Sequence, residues 1–233
     1  MPDHPGKLCR NCKDCESKAT LFKLLSEDEL EQLNENRYSV RYKPGEIIVK
    51  QGTKANFLLS MVGGFGKMYI EGHNNRNLIL GFVRPGEIVT GPCIHAEEKY
   101  KFTVMALEES HVCFIDVVHF RRAFRGNGFF AESYLEMLSR NFARNFDRMV
   151  SLTQKQMHGR IADVLIYLSR EIYNSPVFET VISRQDIADY SGMSKDSAIR
   201  ILKEFERDRI INLKNRSMEI CNMDRLYEIS ATG

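Results

Sequence analysis

A chain of 233 residues is longer than one typical small domain of roughly 100 to 150 residues and suits two. With 43% hydrophobic and 27% charged residues, both halves hold enough apolar side chain to bury a core, which excludes pervasive disorder. A formal net charge of +2 neither demands nor excludes a nucleic-acid partner, so a DNA-binding surface has to be sought locally.

No apolar run approaches the roughly 18 residues that span a bilayer, and Met1–Cys15 lacks a signal peptide's apolar region. A cytoplasmic chain with no membrane partner is therefore expected. In that reducing compartment the six cysteines are not expected to pair as disulfides, and their spacing points instead to metal or redox chemistry. Residues 1–20 are read as a cysteine-rich segment carrying Cys9-Arg-Asn-Cys12-Lys-Asp-Cys15. A short turn can bring such closely spaced sulfurs to adjacent corners of a tetrahedron or a cubane, so the three thiols can converge on one metal centre.

Residues 21–127 are predicted to form a sensory β-barrel. Ser26-Glu-Asp-Glu opens it with a capping box and a short helix ending near Asn36. From Tyr38 to Val118, short apolar runs alternate with turns at Lys43-Pro44-Gly45-Glu46, Gln51-Gly52, Val62-Gly63-Gly64, Glu71-Gly72 and Arg84-Pro85-Gly86-Glu87. That rhythm predicts a β-sandwich or barrel.

Residues 128–157 are predicted to be a dimerisation helix. Neither proline nor glycine occurs between Phe129 and Gln156, and Leu135, Leu138, Phe142, Met149 and Leu152 recur three and four apart, with Asn145 interrupting. This is a heptad seam, which suits a parallel helix pair across a dimer axis; the alternative is packing against the chain's own barrel. Asn145 reads as a register-fixing polar residue or as a solvated edge. Gly159 is expected to break the helix before a second amphipathic one over Arg160–Ile172.

Residues 158–233 are predicted to form a winged helix-turn-helix. Two short amphipathic helices flank Gly192, with Ile187, Ala188 and Met193 plus Ile199 or Leu202 as their apolar core. Ser194 can cap the second helix, which puts Lys195, Asp196 and Ser197 in its first turn and Arg200 about one turn on, where a recognition helix meets base edges. Arg200 suits bidentate donation to guanine O6 and N7, and Asp196 suits accepting from cytosine N4. Ile210–Ile220 reads as a two-stranded ribbon whose tip, Lys214, Asn215 and Arg216, can touch phosphate or simply be solvated. No catalytic constellation is present, so an enzyme is not expected.

The order of barrel, long helix and winged helix, with Tyr42-Lys-Pro-Gly-Glu-Ile-Ile, Arg84-Pro-Gly-Glu-Ile-Val, Arg160-Ile-Ala-Asp-Val-Leu-Ile-Tyr-Leu-Ser and Ser183-Arg-Gln-Asp-Ile-Ala, resembles the Crp/Fnr family of bacterial regulators. The resemblance spans nearly the whole chain. It implies an α+β architecture: a jelly-roll barrel of the cyclic-nucleotide-binding type, a long dimerisation helix and a carboxy-terminal winged helix-turn-helix. It also implies a homodimer on palindromic double-stranded DNA, with RNA polymerase as a further partner, and it adds Ser183, Arg184 and Ile199 to the DNA-facing set.

In the cyclic-AMP members a Gly-Glu pair and an Arg-Ser/Thr pair hold ribose and phosphate. Thr90-Gly91 and Tyr100-Lys101 occupy those positions here, so cyclic AMP is not expected to bind. The cysteines instead resemble the oxygen-sensing Fnr branch, which implies a [4Fe-4S] cluster on Cys9, Cys12, Cys15 and, as the distant fourth ligand, Cys113. Cys93 competes for that fourth place. The spacing departs from the branch, whose second and third cysteines are five residues apart rather than two; zinc on the same thiolates is the alternative cofactor, and thiols without metal, beside a small-molecule effector, are the remaining reading. An iron–sulfur electron-transfer protein would use the same three thiols but leaves the helix-turn-helix unexplained. Cys221 is expected to be inert packing, and His95 and His111 ordinary polar residues.

Overall fold

The computed structural model describes residues 11–13, 15, 17–89 and 99–233. The chain divides into two units, Met1–Glu71 with Leu80–Arg140, and Gly72–Ile79 with Asn141–Gly233.

In the first unit, α1 (Glu27–Glu35) begins with the expected capping box, Ser26 and Glu29 each accepting from the other's backbone N–H, and is capped at its far end by Asn36. Among the described residues eight strands follow: β1 (Arg37–Tyr42), β2 (Ile47–Val49), β3 (Phe57–Gly63), β4 (Gly66–Glu71), β5 (Asn77–Val83), β6 (Ile88–Val89), β7 (Thr103–Ala106) and β8 (Ser110–Asp116). They form two four-stranded sheets, in the orders β1-β8-β3-β6 and β2-β7-β4-β5. The two Pro-Gly-Glu segments make matching turns. Gly45 and Gly86 hold φ of +86° and +84°, where a side chain is strained. In each the glutamate side chain closes the turn: Lys43 N–H donates to Glu46 Oε2 at 2.8 Å and Arg84 N–H to Glu87 Oε2 at 3.0 Å.

Alternation along the strands sorts side chains between two apolar clusters. Leu59 and Met61 of β3 and Val112 and Phe114 of β8 meet Ile48, Val49, Val104 and Ala106 of the facing sheet, filling the barrel. Leu58 and Ile115, on the opposite faces of those same strands, join an outer cluster with Cys12, Phe22, Leu30 and Leu33. Phe120 of α2 (Val117–Gly126) completes that cluster with Phe130 and Tyr134 from the start of α3 (Gly128–Gln154).

In the second unit, α3 ends before Gln156, which caps α4 (Met157–Tyr167); the helical path continues as a π turn over Leu168–Ile172. This corrects the expected break at Gly159. That glycine is buried inside the first turn of α4, and the chain bends one turn earlier, where Lys155 and Ser151 both hydrogen-bond Asp163. Next come β9 (Val177–Glu179), α5 (Arg184–Ser191), α6 (Lys195–Arg207), β10 (Ile211–Lys214), β11 (Ser217–Ile220) and α7 (Met223–Thr232). The three strands form one sheet in the order β10-β11-β9. No helix among the described residues is long and apolar enough to cross a membrane.

Candidate functional site

Three regions carry the residues singled out by sequence. In the helix-turn-helix, Ser183 caps α5 through a second capping box: Asp186 N–H donates to its hydroxyl at 3.1 Å, while Ser183 N–H and O–H donate to Asp186 Oδ2 at 2.8 and 2.6 Å. The Ser183 hydroxyl is thus engaged by its own helix. Gly192 ends α5 at φ +62°, ψ +44°, the left-handed conformation that lets the chain reverse within Gly192–Ser194. Ser194 then caps α6, accepting from Ser197 N–H at 3.2 Å.

The faces of α6 are sharply divided. Ala198, Ile201, Leu202 and Phe205 are buried, and Leu202 rather than Ile199 completes the core with the fully buried Ile187 and Ala188. Lys195, Asp196 and Arg200 are exposed on the other side, with Ser197 and Ile199 half-buried at its margin. Arg184 is half-buried; burial pushes its guanidinium pKa down while Glu206 pulls it back up. At the ribbon tip Lys214, Asn215 and Arg216 are exposed, Asn215 taking the positive φ of the turn. The third strand, β9, was not anticipated. It is three residues long with two exposed, too short for alternation to stand out.

The second region is α3. Leu135, Phe142, Asn145 and Met149 are exposed, whereas Leu138 and Leu152 are half-buried, Leu138 against the outer cluster. The exposed stripe also holds Phe146 and Val150, which the heptad reading missed. Phe146 lies four residues beyond Phe142, its ring 6.5 Å away, so an i, i+4 search for aromatics would have found it.

The third region is the thiol site. Cys12, Cys15 and Cys113 are buried. Strand alternation puts Cys113 on the same face of β8 as Ile115, the face that meets the cluster containing Cys12. Arg37 links the two: its Nη1 donates to Cys113 Sγ at 3.2 Å and its Nε to Asn34 Oδ1 at 2.6 Å, and that oxygen accepts from Cys12 N–H at 3.2 Å. Cys9, Cys93, Thr90, Gly91 and His95 lie outside the described residues. Among those described, no group of three or more His, Cys, Asp or Glu side chains is arranged to hold a metal ion. His111 is buried, and burial, then Arg41 and Arg37, push its pKa down, favouring the neutral ring. Cys221 corrects an expectation: it is exposed beyond the end of β11 rather than packed inside.

Residues 39–127 match a model of the cyclic nucleotide-binding domain, and residues 159–229 match a model of the Crp-like helix-turn-helix domain. The chain belongs to the Crp/Fnr family of transcription regulators. Its relatives are distant. The transcriptional regulatory protein Btr of Bordetella pertussis is 25% identical over 207 residues, which are 87% of this chain and 85% of that protein. The fumarate and nitrate reduction regulatory protein of Escherichia coli is 25% identical over 233 residues, 97% of this chain and 92% of that one. The structure of FixK2 from Bradyrhizobium japonicum shares the fold with a TM-score of 0.76 at 20% identity, covering 84% of this chain and 98% of its own.

Tyr100, which the resemblance sets where the cyclic-AMP members carry arginine, is a core residue. It is buried among the barrel's apolar side chains and its hydroxyl donates to the Phe57 carbonyl at 2.5 Å.

Proposed function

We propose that this Crp/Fnr-type regulator binds palindromic double-stranded DNA as a homodimer, with α6 in the major groove, the α3 stripe as the dimer seam and the amino-terminal thiols as the sensing site. The observation that carries the reading is the division of α6. A helix whose one side is locked into the core by Ile201, Leu202 and Phe205 offers Lys195, Asp196 and Arg200 to solvent from its first two turns. Those are the positions from which a recognition helix reaches base edges. Lys214 and Arg216 of the ribbon, with Arg184 and Ser197, are assigned to phosphate, which fixes position without reading sequence. RNA polymerase is the expected downstream partner.

The donor chemistry of the thiol site suits an iron–sulfur group on Cys9, Cys12, Cys15 and Cys113. Thiolates are its usual ligands, the apolar cluster around Cys12 excludes water, and the Arg37 guanidinium beside Cys113 offsets the negative charge that thiolates bring. When bound, a [4Fe-4S] group would supply sensitivity to oxygen, nitric oxide or redox state. Zinc is the second reading, since four cysteine thiolates also make a tight structural zinc site.

Selection of genomic fragments by anaerobically purified protein tests the DNA reading, and Arg200→Ala is expected to cost about 1 to 3 kcal/mol per half-site and relax base preference. No preferential capture of any fragment, with or without air, would overturn it. Metal and sulfide analysis of the same preparation separates about four irons per chain from a colourless zinc protein.

A further inference from the structure

Glu204 stands on α6, one turn beyond Arg200, where an acid is out of place. A carboxylate on a helix that approaches DNA opposes the phosphate backbone and weakens binding to every sequence alike. The side chain is not idle, however. Arg200 Nη1 donates to its Oε1 at 2.6 Å, while its Oε2 lies 2.7 Å from Nε2 of His158 on α4. The His158 ring is itself set beside the buried Phe205, the ring centroids 6.1 Å apart. A half-buried carboxylate held from two helices is a fixed acceptor, whereas the guanidinium it holds is half in solvent on a long side chain that would otherwise sample many rotamers. The bond to Nη1 leaves the parallel Nε–H and Nη2–H donors of Arg200 unused by it, and two parallel donors are what guanine O6 and N7 accept.

We propose that Glu204, braced by His158, is a positioning and specificity-determining residue for DNA reading: it fixes the Arg200 guanidinium so that one pair of donors is offered to a base. The inference rests on the reading that Arg200 contacts a base. It predicts that removing Glu204 harms discrimination while leaving general affinity for DNA intact or higher, because the acid that opposes phosphate goes with it. A residue of purely structural importance would lower binding to all sequences together.

The test is selection from a pool of randomised palindromic duplexes by the full-length protein, comparing wild type with Glu204→Ala, Glu204→Gln, His158→Ala and Arg200→Ala. At the base pair whose preference Arg200→Ala abolishes, Glu204→Ala is expected to lower the preference for guanine about tenfold, with the other operator positions unmoved. Glu204→Gln keeps an acceptor of the same size and is expected to retain part of the preference; His158→Ala is expected to shift it in the same direction by less. Binding to an unselected duplex should be unchanged or tighter. If Glu204→Ala does not fold, the isosteric Glu204→Gln still decides the matter through its partial loss. Should Arg200→Ala change a base preference while both Glu204 variants stay within twofold of wild type there, the inference fails alone. Should Arg200→Ala change none, the base-reading assignment itself has failed.

Discussion

Replacing Phe146 by alanine removes a ring that has no obvious use inside one chain: it is 62% exposed, midway along the exposed stripe of α3. Full burial of a phenylalanine side chain is worth about 1.5 to 3 kcal/mol, so the fraction still in water leaves about 1 to 2 kcal/mol to be gained when a second helix covers it. A symmetric seam holds the ring twice, and Phe146→Ala is expected to weaken the dimer by about 2 to 4 kcal/mol, a rise of about 30- to 700-fold in its dissociation constant. Sedimentation equilibrium under anaerobic conditions reads this directly. Glu136→Ala is the control. That side chain is exposed and makes one loose i, i+4 pair with Arg140 at 3.7 Å, so its loss should change the constant less than about threefold. If Phe146→Ala dimerises as wild type does, the stripe is not the seam.

Other consequences follow from particular residues. Leu202→Ala empties the centre of the helix-turn-helix core, where Leu202 is 1% exposed, and should cost about 2 to 5 kcal/mol in chemical denaturation followed by circular dichroism. Cys113→Ala is expected to lower the iron content of anaerobically prepared protein and bleach its absorption while leaving the barrel folded; unchanged iron would remove Cys113 from the ligand set. Glu204 also predicts a response to acid. Its hydrogen bond from His158, then that from Arg200, holds its carboxyl below the ordinary glutamate value of 4.5. A depressed folded-state pKa stabilises the protein fully above the unfolded value and ceases to do so as pH falls through the lower, folded one. Thermal midpoints should therefore fall less steeply below about pH 4.5 in Glu204→Gln than in wild type; parallel curves would deny the linkage.

Much of the architecture can be read from the sequence because its signals are local. Ser26 with Glu29 announces a helix start by the spacing of a capping box alone, and the box is formed. The Pro-Gly-Glu turns likewise declare themselves, since only glycine sits easily at the φ they need. What escaped depends on partners distant in sequence. β9 is recognisable only through its pairing with β11, Val177 opposite Glu219 and Phe178 opposite Met218. Gly159 looked like a helix breaker, but a glycine near a helix start costs little when tertiary packing holds that turn, and the bend fell where Asp163 gathers Ser151 and Lys155. Free cysteine is usually buried, a preference that the position of Cys221 just past a strand end overrules. The tie between Glu204 and Arg200 was open to an i, i+4 search, yet His158 enters from another helix and no spacing in the sequence reveals it.

Strand β8 serves two neighbours at once. Val112 and Phe114 belong to the interior of the barrel, while Cys113 and Ile115 look the other way, toward the segment that brings Cys12. Successive residues of one ribbon therefore serve different neighbours. The outer side of the strand can change its chemistry, Cys113 included, while Val112 and Phe114 keep the contacts that hold the barrel closed.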